Sequence, residues 1–150
     1  MNMKILISTM LLALASTASF ANCEIDFFTD SELNTMITDK AFIIDEEYYN
    51  SLCTQLQKNK AGIYFDYTNY VSPQHTTTYV SLRLYDINKS RGLITLDKYS
   101  TMSYNDKKDR DDNNDLYETS MITLSLLATN QEILDKMFSQ LNQMRSDEIK

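Results

Sequence analysis

Nine residues, Lys107 to Asp115, read KKDRDDNND and bring four aspartates, two asparagines and three cations together. Oxygen-rich side chains at alternate positions are what a calcium loop uses. Asp109, Asp111 and Asn113 fall on its positions 1, 3 and 5, and Asp115 on position 7. The pattern stops there. Position 6 holds Asn114 where a glycine is wanted, and position 12 holds Ser120 where a bidentate glutamate is wanted. Lys107, Lys108 and Arg110 also offset the charge that would draw a cation. The expectation is a long polar hairpin loop built from turn-forming residues, with no metal and no cofactor. Calcium on Asp109, Asp111, Asn113 and Asp115 is the alternative.

Other chemistry has few residues to work with. The single histidine, His75, lies in VSPQHTTT beside Pro73. It has no serine or cysteine motif around it to make it a general base for a nucleophile. One histidine and two cysteines do not assemble a zinc site without recruiting carboxylates. Glycosidase-like chemistry needs two converging acids, and no pair stands out among the many present. No catalytic residue is assigned, and a carboxylate hydrolase is the weakest of the readings.

The ten tyrosines, with no tryptophan, are the more suggestive feature. If Val80, Leu82 and Leu84 of one strand face a helical layer, Tyr79, Arg83 and Tyr85 face away from it. Tyr64 from the preceding strand, and Asp97 and Tyr99 from the following one, are expected to join them. Tyrosine and arginine carry much of the binding energy at protein interfaces. Half-exposed sheets also display tyrosine with no partner at all. The expected binding set is Tyr64, Tyr79, Arg83, Tyr85 and Tyr99, with Asp109, Asp111 and Asp112 steering a cationic protein.

The first 21 residues, MNMKILISTMLLALASTASFA, place Lys4 before an apolar run from Ile5 to Ala15. Small residues at Ser19 and Ala21 then suit a cleavage site. They read as a secretory signal peptide, so the chain is expected to be exported, to the periplasm of a Gram-negative cell or otherwise outside. The apolar run is too short to span a bilayer, which takes about 20 residues. Without residues 1–21 the chain keeps 13 cations against 21 acids, a net charge of −8. That argues against nucleic acid or an anionic membrane as partner, since phosphates are bound by cations. In an exported chain Cys23 and Cys53 are expected to form a disulfide, closing a loop of about 30 residues and adding roughly 3–4 kcal/mol.

Residues 22–150 read as one domain. CEIDFF suggests a short strand. Helices are expected after Thr29, capped with Glu32, after Asp45, and after Thr129, capped with Glu132. Their apolar stripes are Leu33–Met36–Ile37, Tyr49–Leu52–Cys53–Leu56 and Ile133–Met137–Phe138–Leu141–Met144. Gly62 should end the second helix. Period-2 alternation then marks GIYFDYTNYV, TTTYVSLRLYDI and LITLDKYSTMSY as strands. The β-branched ETSMITLSLLA, with Ile122, Leu124 and Leu126 on one face, reads as a fourth. The expected fold is α+β: a four-stranded antiparallel meander with two N-terminal helices and one C-terminal helix on one face. The expected function is that of a small acidic protein-binding module of inhibitor or immunity type, with a small-molecule or calcium binder as the alternative.

Overall fold

The structure, a computed structural model, describes residues 23–89, 92–106 and 112–148. The expected signal segment, residues 1–21, and the loop residues Asp109 and Asp111 lie outside them. The chain runs β1 (Phe27–Phe28), α1 (Ser31–Lys40), α2 (Glu46–Lys58), β2 (Ala61–Val71), β3 (Thr76–Asp86), β4 (Tyr99–Asn105), α3 (Asp112–Thr129) and α4 (Gln131–Asp147), with one 3₁₀ turn at Ile87–Lys89. The α+β class holds. The sheet, ordered β1-β2-β3-β4, is mixed: β2, β3 and β4 form an antiparallel meander, while β1 pairs with β2 in parallel.

The expected fourth strand is a helix. In α3 the hydroxyls of Thr119, Ser120, Thr123 and Ser125 each donate to the carbonyl four residues back, at 2.6–2.9 Å. The residues that suggested a strand thus satisfy themselves within helical geometry. Burial follows a helical period, with Leu116, Ser120, Thr123 and Leu127 on one line and Tyr117, Met121, Leu124 and Ala128 on the next. Ile122 and Leu126, expected to face the core with Leu124, point to solvent instead.

Helix starts differ by one residue. Asp30, not Thr29, caps α1: its Oδ1 accepts from Leu33 N–H at 3.1 Å, and its Oδ2 accepts from the Tyr67 hydroxyl. Asn130, not Thr129, caps α4 through Ile133 N–H at 3.2 Å. Asp45 caps α2 as expected. The end of α2 is at Lys58, where Lys60 takes the left-handed turn with φ 49°, and Gly62 lies inside β2.

The core lies between the sheet and the helices. Ile63 and Phe65 of β2 and Val80, Leu82 and Leu84 of β3 are buried with Leu52, Leu56, Leu124, Leu127, Met137 and Leu141. Cys23 and Cys53 are joined, Cα atoms 6.0 Å apart, fixing the segment before β1 to the buried side of α2. Beside the core, buried Asp86 holds Arg145 at 2.7 Å, and the same guanidinium donates to the Lys60 carbonyl at 2.9 Å. Burial pushes the Asp86 carboxyl up, but Arg145 and the Asn88 amide more than offset this and hold it below the usual carboxylate range.

Candidate functional site

Strand register fixes which side chains share the side of the sheet away from the core. Tyr64 stands opposite Arg83, Asp66 opposite Ser81, Thr68 opposite Tyr79, and Tyr79 opposite Met102. The outer face therefore carries Tyr64, Asp66, Thr68 and Tyr70 of β2, Tyr79, Ser81, Arg83 and Tyr85 of β3, and Ser100, Met102 and Tyr104 of β4.

Of the expected binding set, Tyr64, Tyr79 and Arg83 are brought together on this face. Tyr64 stacks on Phe28, ring centroids 5.4 Å apart. The Arg83 Nε is buried. Tyr79 and Ser100 place their hydroxyls 2.8 Å apart, and the Lys98 ammonium sits 5.4 Å above the Tyr79 ring. The Ser100 hydroxyl, with Lys98 beside it, favours the phenolate and lowers the Tyr79 pKa from its ordinary value.

Two expected members do not present a surface. Tyr85 has the right strand parity, yet it is 1% exposed. It lies flat over Gly62, where an added Cβ would come 2.3 Å from the Tyr85 ring. Only glycine leaves that space, which is the reason for Gly62 inside a strand. Tyr99 pairs with Leu82 and so turns to the core side, packed against the apolar cluster. The register of β4 decides this, because a one-residue difference exchanges the two faces. The acidic residues separate: Asp112 and Asn113 belong to the first turn of α3, and Asp115 is buried within that helix.

The exposed part of the face is at the hairpin end, and sequence reasoning missed it. Ser72 N–H donates to the His75 carbonyl at 2.9 Å, and the Ser72 hydroxyl accepts from the Gln74 and His75 amides. This tight turn through Pro73 and Gln74 sets the His75 ring between Tyr104, at 5.2 Å and stacked, and Tyr70, at 5.9 Å. Tyr70 is 60% exposed, Met102 68% and Tyr104 64%. The available signal was the parity of Tyr70 with Tyr64 along β2, combined with histidine at a two-residue turn.

A second apolar surface lies on the helical side. Ile43, Tyr117, Met121, Ile122 and Leu126 line an open groove of about 340 Å³ beside Glu118 and Ser125. Among the described residues no group of three or more His, Cys, Asp or Glu side chains is placed to hold a metal ion. No described helix is long and apolar enough to cross a membrane. The chain matches no family model, and the comparisons with curated proteins and with solved structures found no match either.

Proposed function

We propose that this chain is a small exported protein-binding module, of inhibitor or immunity type, that meets its partner with the outer face of its sheet. The observation that carries this reading is the cluster of exposed Tyr70, Met102 and Tyr104 around half-buried His75. Aromatic and methionine side chains are enriched at interface centres, and a rigid ring held by a turn loses little entropy when it is covered. A net charge of −8 after loss of residues 1–21 suits a cationic protein. Export rests on the N-terminal sequence alone.

The test is affinity capture from periplasmic extract and from supernatants of competing bacteria, with the wild type beside a Tyr70→Ala/Tyr104→Ala variant. A stoichiometric protein retained by the wild type and lost by the variant supports the reading. Equal retention by both removes this face from it. A small apolar ligand is the second reading, favoured by the groove along α3. Ligand screening by thermal melting tests it, since a ligand bound only by the folded chain raises the midpoint with concentration.

A further inference from the structure

The sheet ends at β1 on one side and β4 on the other. β1 is two residues long, whereas β4 has seven and reads YSTMSYN, with no charge and no proline. Exposed edge strands normally carry lysine, proline or a bulge to prevent pairing with another chain. β4 has none of these within it, and among the described residues no strand pairs with its outer edge.

The direction of its backbone groups follows from the ladder. The Ser72–His75 bond closes the β2–β3 hairpin, so every second pair from there, through Tyr70–Thr77 to Gly62–Tyr85, is hydrogen-bonded. Odd-numbered residues of β3 therefore bond to β2 and even-numbered ones to β4. Thr95 N–H donating to the Leu84 carbonyl at 2.9 Å agrees with this. On β4 the hydrogen-bonded partners of β3 are Tyr99, Thr101, Ser103 and Asn105. Ser100, Met102 and Tyr104 aim their N–H and C=O groups at the free edge.

We propose that β4 pairs antiparallel with β4 of a second copy, about a two-fold axis at Met102, joining the two sheets into one. In this register Met102 stands opposite Met102 and Ser100 opposite Tyr104 of the second copy, all through outward-facing groups. Each such pair exchanges two bonds, giving about six in all. Thr101 stands opposite Ser103 on the core side, and a small Ser100 makes room for each Tyr104 ring. Just beyond the strand, Lys98 comes opposite Asp106 of the second copy, and Asp106 opposite its Lys98. Both residues are exposed in the single chain. Opposite charges at both ends of a strand whose interior is uncharged favour this self-pairing over an arbitrary strand. A slip of two residues loses both charge pairs, and a slip of one points the bonding groups the wrong way. The two outer faces lie on the same side of the joined sheet and stay open, so the inference does not depend on the protein-binding reading.

Sedimentation velocity on the purified protein, as processed by the cells that express it, should show a concentration-dependent dimer. Met102→Pro removes only an edge-facing N–H, so it should give a monomer with an unchanged circular dichroism spectrum. Lys98→Glu and Asp106→Lys should each weaken the dimer about tenfold, and the combined K98E/D106K variant should restore it. If the proline variant does not fold, Met102→Cys decides. Facing Cα atoms in a hydrogen-bonded antiparallel pair lie about 5.5 Å apart, within disulfide reach. It should cross-link to a covalent dimer, and Tyr104→Cys should not. A monomer up to the solubility limit overturns the proposal. So does a dimer that survives Met102→Pro, a charge exchange that fails to restore pairing, or equal cross-linking at positions 102 and 104.

Discussion

At the β1 end of the outer sheet face, Tyr85 lies flat on Gly62 and Tyr64 stacks on Phe28; at the hairpin end, Tyr70 and Tyr104 stand in solvent on either side of His75. All four tyrosines have the same strand parity and point to the same side of one sheet. What separates them is the contact that each ring finds. Glycine opposite Tyr85 leaves a trough into which the ring collapses, so its apolar area is spent on stability. Tyr70 and Tyr104 both stand opposite Thr77, with the His75 ring in contact with each, and their area remains available for a partner. Exposure on a half-open sheet is thus set by the local contacts of each ring, and strand parity alone does not give it.

Substitutions at the two ends should diverge accordingly. Tyr85→Ala empties the trough and should cost about 3–5 kcal/mol in urea unfolding, as for other buried aromatics. Arg145→Met, which leaves buried Asp86 without its ion-pair partner, should cost about 3 kcal/mol at pH 7. The pH dependence has a definite sign. Asp86 is held below its unfolded pKa of about 3.9, so its contribution is present above that value and is lost as pH falls through the folded pKa. Thermal melts of wild type and Arg145→Met should therefore converge below about pH 4. Gly62→Ala should cost about 1–3 kcal/mol by pressing a methyl group into the Tyr85 ring. At the hairpin end, Tyr104→Ala should change stability by less than about 0.5 kcal/mol. A loss there as large as that for Tyr85→Ala would erase the distinction between the ends.

The core strands and three of the four helices were legible because their periodicities are unmixed. Val80, Leu82 and Leu84 alternate cleanly, and Leu52, Cys53 and Leu56 recur at helical spacing. α3 was not legible, because its apolar residues satisfy both periods and its β-branched threonines argue for the wrong one. Their hydroxyls, bonded to the preceding turn on one side, meet Thr101 and Ser103 of β4 on the other, at 2.5 and 2.7 Å. Such polar packing carries no hydropathy signal. Tyr99 was misplaced because its face depends on which residue of β3 it meets: it stands opposite inward-facing Leu82 and shares its parity with buried Leu93 and Thr95, a pairing that no pattern within the segment announces. The hairpin cluster depends on a turn and three strands at once, and no single window of sequence contains it.

The parallel pairing of β1 with β2 reverses the order of assembly relative to the order of synthesis. Phe27 has no strand to join until Ile63 and its neighbours have emerged and folded back on β3, and Cys23 has no partner until α2 presents Cys53. A domain generally folds as a unit once its segments are present. Here an early segment must wait, tethered but undocked, for later ones to build its place. With only two cysteines, an oxidant acting meanwhile can make no wrong bond within the chain, only one between chains. Time, more than connectivity, is what that disulfide leaves to chance.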